Sequence, residues 1–208
     1  MTTIIDIISN KDKEYEGDLK GYFKIIMEAP NVLNPYHGIR HMLHVTYMCY
    51  EACCEMREVL SGDVRNLLIA ALFHDFGHTG KTGNDSEQII LAVQGFEKHC
   101  LPEDIPYKDT IIKIIQSTEY PHKNPPQDII EQIIRDADIS QTLSDVWIEH
   151  TLYDLSRELG ITPRKMLEQQ LEFLPSIKFY TTWGKNKFKK KIKKRIKEVK
   201  KMLKVWQE

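Results

Sequence analysis

The sequence predicts an all-α fold built from one domain. Apolar residues recur at steps of three and four along most of the 208 residues, which is the spacing of a helix with one buried face. No segment alternates apolar and polar residues over more than a few positions, so we expect no substantial β-sheet. A chain of this length suits one domain with a small appendage and can bury a hydrophobic core. Together these observations predict a compact helical bundle.

The expected helices are separated by residues that break or cap helices. In order, they cover 18–28, 39–60, 63–75, 86–96, 108–118, 126–144, 145–159 and 163–174. The asparagine- and proline-rich segment 30–35 separates the first two helices. Asp63 is placed to cap the third helix. The glycine-rich segment 77–85 then requires a loop before the fourth.

Prolines mark the boundaries of the later helices. Pro125 and Pro126 separate the fifth helix from the sixth. At the start of the eighth helix, Thr162 is a suitable cap and Pro163 lies in the first turn, where its missing N–H costs nothing.

A basic amphipathic helix is expected at the end of the chain. Between Lys185 and Lys204 there are twelve Lys or Arg residues and one Glu, so this segment carries +11 and the rest of the chain −12. We therefore divide the chain into a domain over 1–184 and this helix over 185–208. The helix either packs an apolar stripe on the domain or contacts an anionic membrane surface, a nucleic acid or an acidic partner. The stripe consists of Phe188, Ile192, Ile196, Val199 and Leu203, with Trp206, which lies outside the residues described below, as a further candidate.

The composition indicates where the protein is located and which partners it can bind. Because the rest of the chain is acidic, it favours the binding of divalent cations and argues against general binding of nucleic acids. The four cysteines show no CxxC pattern, and Cys49 and Cys53 share a helical face where thiols act as small buried hydrophobes. The first residues lack the pattern of a signal peptide, and no apolar run is long enough to span a membrane. We expect a cytoplasmic protein.

Histidines and aspartates on separate helices form a candidate metal site. His37 and His41 lie one helical turn apart, His74 and Asp75 close an apolar helix, and Asp138 follows another apolar run. Burying so many titratable groups without a partner would cost several kcal/mol, since each unpaired polar group costs roughly 1–3 kcal/mol. Imidazole and carboxylate together suit zinc, iron, manganese or magnesium in a catalytic site.

The pattern resembles that of the HD-domain superfamily of metal-dependent phosphohydrolases over about residues 36–142. In finer detail it is similar to the class I cyclic nucleotide phosphodiesterases. Four segments carry this similarity: Tyr36-His37-Gly38-Ile39-Arg40-His41, His74-Asp75-Phe76-Gly77-His78, Ser117-Thr118-Glu119-Tyr120-Pro121-His122 and Ala137-Asp138-Ile139-Ser140. The implied fold is a compact HD-domain helical bundle, followed here by the basic amphipathic helix.

A further similarity concerns the nucleotide base. In those enzymes a glutamine that hydrogen-bonds the base is followed three residues later by a phenylalanine that stacks on it. Gln170 and Phe173 have this spacing, and Trp183 follows where a tryptophan is expected. Such a pair would favour a purine. The alternative is an ordinary amphipathic helix with a core Phe and a surface Gln.

The resemblance implies two divalent ions and a role for each candidate residue. The tighter site, for zinc, iron or manganese, would be held by His41, His74, Asp75 and Asp138, and Asp75 would also reach a second ion, magnesium or manganese. His37 would protonate the leaving oxygen as general acid, with Glu119 orienting its imidazole. The remaining assignments are His78 as a catalytic contact to water, Tyr36, Gln170 and Phe173 as substrate contacts, and His122 and Asp136 as supporting residues.

The expected function is hydrolysis of a small nucleotide, most specifically a 3′,5′-cyclic nucleotide converted to the linear 5′-monophosphate. One alternative is a nucleotidase or nucleoside triphosphate hydrolase with the same four ligands. In that case Lys81 and Arg40 would bind terminal phosphates, and Gln170 and Phe173 would be structural. A second alternative is a metal-stabilised interaction module that displays the basic helix, although such a module needs no spare proton donor like His37.

Overall fold

The computed structural model describes residues 2–81 and 85–205, and it confirms the all-α prediction. Every regular element in those two ranges is helical. The α-helices are α1 (Ile4–Ile8), α2 (Lys20–Met27), α3 (Ile39–Glu55), α4 (Ser61–Phe73), α5 (Asp85–His99), α6 (Lys108–Gln116), α7 (Ile129–Ile139), α8 (Leu155–Glu158), α9 (Pro163–Ser176) and α10 (Thr182–Val205). The other helical elements are the 3₁₀ segments Pro102–Tyr107 and Ser140–Leu143 and the π-helical segment Ile148–Asp154.

Helix α4 lies at the centre of the bundle because its second half, from Leu67 to Phe73, is apolar on every side. Each residue from Val64 to Phe73 is buried, and α2, α3, α5, α6 and α7 pack around it. A helix without a polar face is stable only when it is surrounded in this way. The end of α4 therefore brings His74 and Asp75 into the interior, next to α3 and α7.

Two predicted boundaries near α4 differ from the structure by a few residues. Helix α3 ends at Glu55 rather than at 60, and α4 begins at Ser61. Asp63 consequently lies in the first turn of α4 and does not cap it, although a carboxylate there still favours the positive end of the helix dipole. Residues 82–84 of the predicted loop lie outside the described residues.

The later helices depart further from the expected lengths. The helix expected over 126–144 stops at Ile139 and continues as a 3₁₀ segment. The helix expected over 145–159 consists of a π-helical segment followed by α8. The predicted cap of α9 is confirmed, since the Thr162 side chain accepts a hydrogen bond from the Lys165 N–H at 3.2 Å.

Helix α10 begins at Thr182, three residues before the predicted boundary of the basic segment, and packs on the rest of the bundle. Phe188 and Val199 are buried. Ile192, Ile196 and Leu203 lie partly buried against the same core. No helix in the described part of the chain combines the length and apolarity needed to cross a membrane.

Candidate active site

The four residues predicted as metal ligands converge between three helices. His41 belongs to the first turn of α3, His74 and Asp75 follow α4, and Asp138 lies near the end of α7. The His41 Nε2 atom lies 3.0 Å from Asp138 Oδ1 and 3.4 Å from Asp75 Oδ2. The His74 Nε2 atom lies 3.4 Å from Asp75 Oδ2 and 3.8 Å from Asp138 Oδ1.

Hydrogen bonds on the far side of each imidazole orient the two histidines. His41 uses Nδ1 to donate to the side-chain oxygen of Gln141, and His74 uses Nδ1 to donate to the Ala71 carbonyl at 2.8 Å. Each bond leaves Nε2 directed at the carboxylates, so an imidazole that carries no proton on Nε2 would be the tautomer that binds metal. Sequence reasoning missed Gln141, although its position one turn after Asp138 was a usable signal.

The arrangement fits a divalent metal ion. His74 Nε2 and Asp75 Oδ2 are buried and have no hydrogen-bond partner within the described ranges. Such an atom costs roughly 1–3 kcal/mol when it stays unpaired. With metal–ligand bonds of about 2.0–2.2 Å, the ligand atoms of one ion lie about 3–3.5 Å apart, close to the separations between these side chains.

The charges within the site keep both carboxylates ionised. Burial would raise the pKa of Asp75, but the surrounding imidazoles, His74 foremost, lower it below its usual value. Burial likewise opposes ionisation of Asp138, whose pKa is lowered by the hydrogen bond with His41. Although burial lowers the pKa of His41, the two aspartates raise it to about 9. A bound cation would therefore take the place of the His41 proton.

A second cluster beside the ligands is formed by His37, His78 and Glu158. His37 donates from Nδ1 to Glu158 Oε1, while Glu158 Oε2 accepts the backbone N–H groups of Tyr36 at 2.7 Å and His37 at 3.0 Å. The His37 and His78 rings stack with centroids 3.9 Å apart. His78 Nδ1 accepts the N–H of Gly80 at 3.0 Å. These bonds engage both Glu158 oxygens and the Nδ1 atom of each histidine, so they hold the His37 imidazole in place. The three side chains are also close enough together to hold a metal ion.

The carboxylate that orients His37 is Glu158 and not Glu119, which corrects the prediction. Glu119 instead accepts hydrogen bonds from the Ser86 hydroxyl and from Lys123 at 2.6 Å. Its pKa is lowered by the hydrogen bond from Lys123. Sequence reasoning had no signal for Glu158, since it lies more than a hundred residues after its partner.

A cavity of about 420 Å³ opens beside the ligands. Its volume lies within the range typical of small-molecule sites. Tyr36 stacks on the imidazole of His41 with ring centroids 5.0 Å apart, and Phe173 meets Tyr120 edge to face at 6.0 Å. The predicted site residues on its wall include Tyr36, His37, His78, His122, Gln170 and Phe173.

Gln170 and Phe173 lie on the same cavity wall, but their burial is the reverse of that in an ordinary amphipathic helix. Gln170 is only 5% exposed, and its Oε1 accepts a hydrogen bond from the Thr142 hydroxyl at 3.1 Å. Phe173 is half-buried at the cavity. The glutamine is therefore fixed in place, while the aromatic ring stays accessible from the cavity.

The two predicted supporting residues have different positions. Asp136 is buried on the opposite side of α7 from the ligands, and it accepts the N–H groups of Tyr180 at 2.8 Å and Thr181 at 2.9 Å. It therefore supports the start of α10, a correction that follows from its spacing of two residues from Asp138. His122 lines the cavity and donates from Nδ1 to the Glu119 carbonyl at 2.9 Å.

Arg135 adds a fixed positive charge to the cavity wall, and the sequence analysis did not single it out as a site residue. Its Nε donates to the Ser117 carbonyl and its Nη1 to the Asn124 carbonyl, both at 2.7 Å. Within the described residues, Nη2 has no hydrogen-bond partner. Arg135 precedes Asp138 by one turn of α7, so an anion at this wall would lie near the metal ligands.

A comparison with known protein families matches the region of the chain that contains the converging residues. The family described as the HD domain matches residues 38–143, which is half of the chain and includes all four predicted ligands. No curated protein matches the chain. The match ends before Glu158, Gln170 and Phe173, so the roles of these residues depend on the geometry described above.

Proposed function

Since the chain belongs to the HD domain family of metal-dependent phosphohydrolases, we propose that it hydrolyses a nucleotide phosphoester, most specifically a 3′,5′-cyclic nucleotide. One observation carries the proposal. The four predicted ligands, the His37 imidazole and an accessible Phe173 ring all line a single cavity, and Glu158 holds His37 from behind. Such a cavity has room for a metal, a proton donor and an aromatic platform for a base.

In the proposed site, His41, His74, Asp75 and Asp138 would hold zinc, iron or manganese, and Asp75 would also help to hold a second ion, magnesium or manganese. When bound, divalent ions neutralise phosphate oxygens and make water acidic enough to act as a nucleophile near neutral pH. Gln141 and the Ala71 carbonyl keep the imidazole lone pairs directed inward.

His37 delivers the proton to the leaving oxygen. Its Nδ1–H is held by Glu158, so Nε2 is the atom available to the cavity. Burial would raise the pKa of Glu158, but the hydrogen bond from His37 lowers it, and the residue stays ionised. With Nδ1–H held in this way, a proton on Nε2 is the one that the ring can donate into the cavity. His78 stacks on this ring and restricts its rotation.

The base would lie against Phe173, with Tyr36 and Gln170 completing the walls. Phe173 offers a ring face for stacking. Because Thr142 occupies the Gln170 oxygen, the amide nitrogen is the group available to a base, and it lies 3.7 Å from the Met166 sulfur. This is a weak interaction that a purine acceptor could replace.

A second candidate, a nucleotidase or nucleoside triphosphate hydrolase, is favoured by Arg135. Its Nη2 group would bind a terminal phosphate close to the ligands. Arg40, the arginine that the sequence analysis expected in this role, is engaged elsewhere, since it pairs with Glu149 at 3.0 Å and Asp154 at 2.7 Å.

A hydrolysis panel separates the two candidates. The protein is assayed with Mn²⁺, Mg²⁺ or Zn²⁺ against cyclic mononucleotides, cyclic dinucleotides, nucleoside monophosphates and dNTPs, with products resolved by chromatography. Linear 5′-monophosphate from a cyclic substrate supports the first proposal. Release of phosphate or nucleoside from linear substrates alone favours the second. Asp75→Ala, which should abolish turnover and lower metal content, is the negative control, and a metal-loaded wild type inactive on every substrate would overturn both proposals.

A further inference from the structure

The solvent-facing side of α10 carries a continuous stripe of lysines. With 100° per residue, eight lysines fall within an arc of about 140°, and the first and last are about 22 Å apart along the helix. All eight are exposed. These residues, called the lysine stripe below, are Lys189, Lys190, Lys193, Lys194, Lys197, Lys200, Lys201 and Lys204.

The lysine stripe is not neutralised by the protein itself. Within the described residues, Lys194 is its only member that lies within 4.0 Å of a carboxylate, that of Glu198 at 3.9 Å. Elsewhere in the described residues some lysines are ion-paired, as Lys108 is with Glu97 at 2.9 Å. Others, such as Lys24 and Lys98, are exposed without an ion pair, so the stripe differs from them in that its unpaired lysines lie next to one another. The further pairs include Lys11–Asp6, Lys20–Asp18, Lys113–Asp128, Lys123–Glu119 and Lys165–Glu168.

Folding gives no reason for this stripe. Several of its members are four residues apart, as are Lys189 and Lys193 or Lys193 and Lys197, and like charges at this spacing destabilise a helix. Attraction to the negative end of the helix dipole acts only in the last turn, so it reaches Lys204 but not Lys189. The repulsion within the stripe would be relieved by an anionic surface outside the molecule.

A groove with a mostly apolar surface runs along one edge of the lysine stripe. It has a volume of about 700 Å³, and its charged lining residues are Lys194, Arg195 and Lys201 together with the acidic Asp145 and Glu198. Two of its aliphatic side chains are strongly exposed, Ile148 at 44% and Val205 at 67%. Val146, next to the groove in sequence, is 51% exposed. Positive charge and exposed aliphatic groups therefore occur together on one side of α10.

We infer that this side of the molecule docks onto an anionic phospholipid membrane. In this arrangement the lysine stripe contacts the headgroups, and Ile148 and Val205 reach toward the acyl chains. A nucleic acid fits the surface less well, because exposed aliphatic groups add nothing to phosphate binding. The eight positions also include no arginine, the residue that makes bidentate contacts with phosphates and bases. The inference is independent of the proposed catalysis, since no metal ligand lies on α10.

Vesicle sedimentation with the full chain tests the inference. Vesicles of phosphatidylcholine alone are compared with vesicles that contain about one quarter phosphatidylserine, at low and high salt. We expect binding to the anionic vesicles only, and weaker binding at high salt because the charges are screened. Replacing four lysines of the stripe by glutamine should weaken binding by about several hundredfold, since each lysine near such a surface contributes about fivefold. The four changes are Lys193→Gln, Lys197→Gln, Lys200→Gln and Lys204→Gln.

Two controls make the result specific. A variant with four ion-paired lysines replaced should bind anionic vesicles like the wild type. A variant with Ile148→Ser and Val205→Ser should lose vesicle binding while keeping any affinity for a single-stranded RNA oligonucleotide. Equal binding to both vesicle types, full binding by the stripe variant, or binding to RNA without binding to vesicles would each overturn the inference. The replaced residues of the first control are Lys11, Lys20, Lys113 and Lys165.

Discussion

At the scale of single residues, the unpaired atoms His74 Nε2 and Asp75 Oδ2 link metal binding to stability. Each buried polar atom without a partner destabilises the fold by roughly 1–3 kcal/mol, and a bound ion would remove both penalties. A metal that binds only the folded state at a hundred times its Kd adds about 2.7 kcal/mol. The ligand geometry therefore predicts a stability that depends on metal.

Chelation of the metal-loaded protein should lower Tm by about 5–10 °C, since each kcal/mol corresponds to about 2–4 °C in a domain of this size. The measurement is a thermal melt with and without chelator, with metal content determined by mass spectrometry. His74→Ala should contain little metal and should not respond to chelator. The matched control Asp109→Ala, on the exposed side of α6, should respond like the wild type. An unchanged Tm after complete removal of metal would contradict this prediction.

The correction of Glu119 to Glu158 gives a paired test. Glu158→Gln removes the charge that holds His37, and we expect kcat to fall about 10–100-fold with metal content unchanged. Glu119→Gln, a change of the same chemistry outside the pair, should leave kcat within about twofold. Steady-state kinetics on the substrate found in the panel measures both variants. If the two variants lose activity equally, the partner assigned to His37 is wrong.

His37 itself is tested by His37→Ala. Loss of the proton donor should reduce turnover by roughly 10²–10⁴ while metal content stays at the wild-type value, because His37 is not among the converging ligands. His99→Ala is the control, since His99 lies at the end of α5 and does not line the cavity. An unchanged rate for His37→Ala would remove the general acid from the proposed mechanism.

At the scale of elements, local sequence patterns identified the helices but not where they end or which segments connect them. The apolar run of α4 predicted a buried helix because periodicity and burial are local properties of the chain. The expected helix 126–144 ends at Ile139, where the Ser140 hydroxyl bonds the Ala137 carbonyl at 2.6 Å and the backbone tightens. This short 3₁₀ segment places Gln141 against His41, a contact across 100 residues.

In the candidate site too, local sequence patterns predicted some residues, while contacts between distant parts of the chain determine others. His41, His74, Asp75 and Asp138 were predicted as ligands because they stand beside apolar helical runs and because the resemblance to the HD-domain superfamily selects these four. Glu158 could not be predicted, since only the packing of α8 against the chain before α3 brings it to His37. Hydrogen-bond partners of this kind are set by tertiary packing, so the spacing of residues along the sequence does not predict them.

The contact between α7 and α10 provides a prediction about stability. A Cβ atom added at Gly184 would lie 2.3 Å from Asp136 Oδ2, an overlap that requires movement of a buried carboxylate. Gly184→Ala should therefore destabilise the protein by about 1–3 kcal/mol despite the higher helix propensity of alanine. In the matched control Gly62→Ala the added atom meets nothing within 4 Å, so stability should stay equal or rise slightly. Urea denaturation measures both variants, and a stable Gly184→Ala protein would contradict the packing described here.

At the scale of the whole molecule, α10 joins an acidic body to a basic surface. Its buried side holds Phe188 and Val199 against the core, and the Trp183 indole donates to Glu51 at 3.1 Å. Its exposed side carries the lysine stripe. The helix therefore has two separable roles, one in the stability of the bundle and one in the proposed contact with membranes.

A chain that ends at residue 184 should fail to fold stably, although the sequence analysis divided the protein at this point. Full burial of an apolar side chain contributes about 1.5–3 kcal/mol. Loss of Phe188 and Val199, with the partly buried Ile192, Ile196 and Leu203, therefore removes about 5–10 kcal/mol, which approaches the total stability of an ordinary domain. Circular dichroism melts should show no cooperative transition for the shortened chain. The stripe variant, which keeps the apolar side of α10 and loses part of the charge repulsion, should melt at or above the wild-type Tm. A shortened chain that melts cooperatively near the wild-type Tm would mean that α10 is dispensable for folding and serves only at the surface.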